Sequence, residues 1–209
     1  MDEIRNGYPV KAIVAVGCGA GRVGKSRCLD VMIPRRIYDG QGIGTDDDGD
    51  ITIAQEHSDM DDRFCDLPNL YGSEVTEACG FAIRSTKASL CVGGTFENVN
   101  SINAKKIVGL DDKEISMIEM EGMSFADIPE HLRTNNNGDP FILGLVKGIA
   151  DYAGDAVSDN IDLSLFRTIP GVDGNIDSFD PRANEHKAYC KEEASRRAAT
   201  VALRLMAKA

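Results

Sequence analysis

The chain has 209 residues, of which 42% are apolar and 27% charged, a balance that describes a folded domain with its own core and excludes a disordered chain. Its formal net charge is -11. That excess excludes a duplex or long single strand of nucleic acid as partner, because proteins that track phosphates need a positive face; a local basic cluster can still hold one small anion.

In chain order, Lys11 to Val16 is a short apolar run ended by Gly17, which predicts a buried strand of a parallel sheet. A glycine-rich loop is expected over Gly17-Cys-Gly-Ala-Gly21. Leu29 to Pro34 predicts a second strand, closed by Pro34 and the basic pair Arg35 and Arg36. Residues 39–66 are turn-rich and acidic, with Asp46 to Asp50 and Asp59 to Asp62, and predict a solvated loop. A helix is expected within Ser73 to Arg84, a strand over Ser89 to Gly94, an apolar stretch over Glu114 to Met123 and a helix over Ser124 to Leu132. Thr134 to Pro140 has the residues of a loop. Phe141 to Val146 predicts a buried strand, with Gly148 and Asp151 where strand meets loop. Residues 154–184 are rich in Gly, Pro, Asp and Asn and predict a loop insertion, and Glu185 to Ala207 predicts a long amphipathic helix. Strands alternating with helices imply one α/β domain over residues 1–209, and no internal repeat breaks it.

Six cysteines (Cys18, Cys28, Cys65, Cys79, Cys91 and Cys190) form no CxxC pair and have no histidine close in sequence, so no metal site is expected. Reduced, partly buried thiols and a cytoplasmic location are the expectation for a chain of this size. No apolar run is long enough to span a membrane, and Met1 to Asn6 lacks the apolar stretch of a secretory leader.

Two motifs compete around the first strand. Gly19-Ala-Gly-Arg-Val-Gly24-Lys25-Ser26 is a literal Walker A string after a strand. In that role, backbone N–H groups would cradle phosphates, Lys25 would pair with the terminal ones and Ser26 would hold magnesium, as in a P-loop NTPase. Against it, Pro34 would stop the helix that must follow, and no apolar strand ends in an aspartate placed to serve magnesium.

The other reading uses four separated segments. Val14 to Gly21 followed by Leu29 to Pro34, then Val92-Gly-Gly-Thr-Phe-Glu-Asn98, Ile118-Glu-Met-Glu-Gly122 and Val146-Lys-Gly-Ile-Ala-Asp-Tyr-Ala153 stand in this order. They resemble the glycine loop and Gly-Asp-Val-Val strand, the base-side loop, the Glu-Met-Glu ribose motif and the strand-end segment of the nucleoside phosphorylase and nucleosidase superfamily. The match covers roughly residues 11–153 and 185–207. The last segment is nearest the form found in phosphorylase-like domains attached to NTPase and defence proteins. Departures are Cys18 for a common serine, Leu29 for the usual glycine before Asp30, and Lys147 for arginine. The resemblance implies a three-layer α/β/α fold around a central mixed sheet, with the family's N-terminal strands absent or supplied by another chain. It further implies a homo-oligomer or part of a larger assembly.

What the resemblance implies chemically is cleavage of the N-glycosidic bond of a purine nucleoside or nucleotide by hydrolysis or phosphorolysis, with inorganic phosphate as the one co-substrate to consider and no other cofactor. Breaking that bond builds positive charge on the ribose and negative charge on the base. Glu121 is placed to accept hydrogen bonds from the ribose hydroxyls and stabilise that positive charge, with Met120 against the sugar. Asp151 is the general acid for the leaving base; a helix N-cap is its structural alternative. Gly17, Cys18 and Gly19 would offer N–H donors to water or phosphate, with Arg22, Lys25 and Arg27 adding charge. Phe96 would stack on the base. A non-catalytic nucleobase-binding module is the reading from another class.

Overall fold

The computed structural model describes residues 11–22, 25–39, 44–45, 51–53, 57–79, 81, 83–91, 107–108, 112–126, 141–152 and 184–208. The strands are β1 (Ala12–Gly21), β2 (Val31–Asp39), β3 (Gly44–Thr45), β4 (Ile51–Thr52), β5 (His57–Asp59), β6 (Ile83–Cys91), β7 (Ile107–Val108), β8 (Ile115–Glu119) and β9 (Ile142–Tyr152). The helices are α1 (Asp62–Cys65), α2 (Leu67–Cys79), α3 (Gly122–Ala126) and α4 (Asn184–Met206).

The main sheet is mixed and runs β5-β2-β6-β8-β1-β9. β1 lies parallel to β9, and β6 lies parallel to both β2 and β8, while β8 is antiparallel to β1. β2 also pairs with β9, Val31 opposite Gly148 and Met32 opposite Lys147, so the mixed sheet closes on itself. Closure gives the sheet an inner and an outer face, each with its own apolar cluster. Val31, Ile33 and Val146 point outward and pack with Phe64, Leu67 and Val75 of α1 and α2 and with the α4 stripe. That stripe is Cys190, Ala194, Ala198, Val201 and Leu205, spaced by three and four residues as one helix face requires. α4 lies directly on strand backbone: a side chain at Gly148 would collide with the Ala194 carbonyl. Met32, Ile37, Cys91, Met117, Leu145 and Ile149 form the other cluster, against which Met123 and Phe125 of α3 pack.

Several expectations are corrected. Gly17 to Gly21 is strand, not loop, because its backbone is bonded to β9 throughout. β2 begins at Val31 and runs through Pro34 to Asp39. Pro34 is tolerated because the β2 edge away from β6 is unpaired there, between β9 at Met32 and β5 at Arg36. With β2 a strand, the helix a Walker A string must open is absent, and the buried Ser26 hydroxyl is taken up by Arg22 backbone and the Ser116 carbonyl. The P-loop reading is overturned by these facts. The helix expected from Ser73 is α2, ending at Cys79, and the strand expected at Ser89 starts at Ile83. The helix expected from Ser124 is α3, starting at Gly122, and residues 127–132 lie outside the described residues. β9 continues six residues beyond Val146.

Part of the acidic stretch is bound rather than solvated. Asp59 pairs with Arg36 at 2.8 Å, Arg35 pairs with both Asp62 and Asp66, and Asp61 caps α1. Asp46 to Asp50 and residues 154–183 lie outside the described residues.

Candidate active site

β9 places Lys147 among apolar residues. Leu145 and Ile149 join the inner cluster, and by alternation Lys147 points the same way. It is 2% exposed. A buried ammonium needs paired charge, and β8 supplies it. Lys147 Nζ lies 3.2 Å from Glu119 Oε2 and 2.6 Å from Glu121 Oε2. Burial alone would lower the Lys147 pKa. The Glu119 charge and the bonds to Glu121 outweigh it, and the net direction is up.

Glu119 is as buried as its partner. Its Oε2 also accepts the backbone N–H groups of Glu121 at 3.0 Å and Gly122 at 2.7 Å, at the opening of α3, where helical N–H groups have no partner of their own. Gly122 is required there, since a Cβ would collide with Glu119 Oε1. Among the described residues no N–H or O–H group donates to that buried Oε1. Beside it, the Cys91 thiol is pushed up to about 12, first by burial and then by the Glu119 charge.

Glu121 differs from Glu119 in exposure. Its side chain is 70% exposed, so the buried ammonium holds a carboxylate that faces outward. Next to it Met120 is 42% exposed. β1 borders this point. It pairs with β8 at Ala20 and Gly21, opposite Ile118 and Met117. Gly17 lies opposite Lys147 on the other edge. Gly17 faces Lys147, and Gly19 faces Ile118 and Glu119, each closely enough that a side chain there would crowd them. Val16, 42% exposed, and the half-buried Cys18 belong to β1.

Asp151 lies four residues beyond Lys147, about 13 Å along an extended strand. The ladder between β1 and β9 shifts there: Gly19 opposes Ile149 and Ala20 opposes Asp151, leaving Ala150 as an extra residue. Such a bulge re-aims the side chain that follows it. Asp151 is half-buried, and its charge acts on the thiols of Cys28 and Cys190.

Gly17 and Gly19 thus lie against Lys147 and Glu119, Cys18 lies opposite Gly148, Glu121 is held on Lys147 with Met120 beside it in sequence, and Asp151 lies further along β9. Arg22 is elsewhere, with its guanidinium donating to the Ile115 carbonyl at the opposite end of β8. Lys25 and Arg27 are exposed in the turn that follows. Phe96 lies outside the described residues. Sequence reasoning missed Glu119 and Lys147 as site residues. The signal was present: a lysine set directly after an apolar run and before Gly148 and Ile149 demands a buried anion.

No family model and no curated protein matches this chain. Solved structures do. A 5′-methylthioadenosine/S-adenosylhomocysteine nucleosidase from Neisseria meningitidis, in complex with methylthio-immucillin-A, superposes with a TM-score of 0.58 at 12% identity, over 95% of this chain and 70% of that one. The futalosine hydrolase of Helicobacter pylori gives 0.54 at 13%, over 100% and 72%. The MTA/SAH nucleosidase of Streptococcus pneumoniae gives 0.52 at 15%, over 98% and 72%. This chain has their fold. Those proteins belong to the superfamily whose motifs the four sequence segments resemble. Among the described residues, no helix is long and apolar enough to cross a membrane.

Proposed function

We propose that this protein cleaves the N-glycosidic bond of a purine nucleoside or nucleotide and releases the free base. The observation that carries the reading is the exposed Glu121 carboxylate, held 2.6 Å from the buried Lys147 ammonium just past the end of β8. A carboxylate fixed in this way accepts the ribose hydroxyls and stabilises the positive charge that develops as the bond breaks. The base departs with the bonding pair and takes a proton from Asp151, about one nucleoside length along β9. Water or phosphate supplies the oxygen that bonds to the anomeric carbon as the base leaves; when it is water, its spare proton passes to solvent and Asp151 is re-protonated from solvent. No metal takes part in this scheme. The three-layer arrangement around the sheet, a homo-oligomer or larger assembly, and a cytoplasmic setting belong to the same proposal.

Incubation of the purified chain with adenosine, inosine, 5′-methylthioadenosine and AMP, with and without phosphate, tests it by chromatography. Free base is the expected product. Ribose beside it marks hydrolysis, and ribose 1-phosphate marks phosphorolysis. Binding without any released base would replace the proposal with the non-catalytic module.

A further inference from the structure

Two buried thiols lie outside the Lys147 cluster and touch each other. Cys28 belongs to the turn between β1 and β2, and Cys190 to the first turns of α4. Their sulfurs are 3.8 Å apart, and both residues are at most 5% exposed. The Cys28 thiol also reaches the Ile149 and Ala150 carbonyls, at 3.7 and 4.0 Å. These are the two residues before Asp151, at the bulge that aims it. The turn is pinned on both flanks. The Leu29 N–H donates to the Ile149 carbonyl at 2.7 Å, and Arg197 of α4 donates to the Leu29 carbonyl at 3.1 Å. Sulfur contact therefore occurs between two segments already held in place. The other buried thiols, Cys65 and Cys91, meet backbone groups instead, the Pro34 carbonyl and the Met123 N–H.

We propose that Cys28 and Cys190 are a redox-active pair that a small peroxide oxidises to a disulfide, bolting α4 to the β1–β2 turn behind Asp151. A disulfide needs the sulfurs at about 2.05 Å, so they must close by about 1.8 Å. Cys190 is the sulfur that attacks, because the hydrogen bond from Cys28 lowers its pKa, whereas that bond and burial raise the pKa of Cys28. The Cys190 thiolate takes one peroxide oxygen as a sulfenic acid, and the O–O bond breaks with release of hydroxide, which is protonated to water. The Cys28 sulfur then displaces the sulfenic hydroxyl, forming the S–S bond and releasing a second water. In sum, the two thiols give up two electrons and two protons, and the peroxide is reduced to two waters. The product ties residue 28 to residue 190 across most of the chain and removes the Cys28 S–H from the bulge carbonyls.

The test uses the folded full chain and hydrogen peroxide. After exposure, remaining thiols are alkylated, the protein is digested without reductant, and the peptides are weighed. The expected result is one linked pair of peptides carrying Cys28 and Cys190, lighter by two hydrogens than their sum and separated by dithiothreitol. The oxidised chain should melt at a higher temperature than the reduced one, and Cys28→Ser and Cys190→Ser should each abolish the linked species. Recovery of Cys28 and Cys190 as alkylated thiols or separate oxyacids, while Cys18 or Cys79 is oxidised, would overturn the proposal. The wild-type peptide map decides the matter even if a serine variant folds poorly.

Discussion

Replacing Lys147 with methionine tests whether the buried ion pair organises the site. The substitution keeps the length and apolar stem of the side chain and removes its charge. Glu119 then remains 2% exposed, with its Oε2 holding only the two backbone N–H groups at the start of α3. Removing one partner of a buried pair costs about 3–5 kcal/mol, because the other charge is left uncompensated. The two N–H groups that remain put this case at the lower end, about 3 kcal/mol. Glu121 adds little to that figure, since a carboxylate 70% exposed contributes no more than about 1 kcal/mol. In a domain of this size the loss should lower the melting temperature by roughly 6–12 °C. The pH dependence has a defined sign. The Lys147 pKa is raised in the folded chain, so its contribution is complete below the ordinary lysine value of about 10.4 and is lost as pH rises through the folded value. The deficit of Lys147→Met should thus be flat across the neutral range and narrow only in strong alkali. Lys147→Met combined with Glu119→Gln should be more stable than Lys147→Met alone by at least about 1 kcal/mol, because the stranded charge is gone. Calorimetry or urea unfolding of the three variants reads both effects. A single-variant cost below about 1 kcal/mol, or strict additivity in the pair, would refute the reasoning.

Other outcomes follow from single contacts. Leu29 has φ of 66°, in the region that favours glycine, yet its side chain is 2% exposed. Leu29→Gly should relieve about 1–2 kcal/mol of backbone strain and lose at least 3 kcal/mol of buried side chain, so urea unfolding should show a net loss of about 1–3 kcal/mol. Hydrogen bonding from Arg196, and then from Arg197, holds Glu193 at about 2. Its stabilisation is present above the ordinary glutamate value and lost as pH falls toward 2; discounted for the exposed Arg196, it amounts to about 1–2 kcal/mol. Glu193→Gln should therefore be less stable than wild type at pH 6 and nearly equal to it at pH 2. Asp151→Asn should lower turnover by roughly two to four decades with binding retained.

Much of the fold was readable because it rests on local patterns. The continuous apolar run of Phe141 to Val146 and the three- and four-residue spacing of α4 identify those elements without tertiary information. Closure of the sheet was not readable, since it depends on Val31 and Met32 meeting β9 more than a hundred residues later. Nor was the strand character of Gly17 to Gly21, where glycine composition indicates a loop and the ladder to β9 prevails. Pro34 appeared to end β2, but the gap between two partner strands accommodates it. The departure at Leu29 was visible as a substitution, and its meaning emerged only with the positive φ at that residue. In the site, the Glu-Met-Glu segment identified Glu121. Glu119 became significant only when its burial against Lys147 was seen, because exposure of two glutamates two residues apart is a tertiary property.

The central claim is that Glu121, held by Lys147, serves the breaking of a bond between base and sugar. Release of free adenine from 5′-methylthioadenosine and adenosine, followed by chromatography for wild type and for Glu121→Gln at matched folded concentration, tests it most directly. The account predicts adenine from the wild-type chain and at least a tenfold lower rate from Glu121→Gln, with the melting temperatures within a few degrees of each other. Equal rates from the two proteins would contradict it, as would the absence of adenine from a wild-type chain shown to be folded.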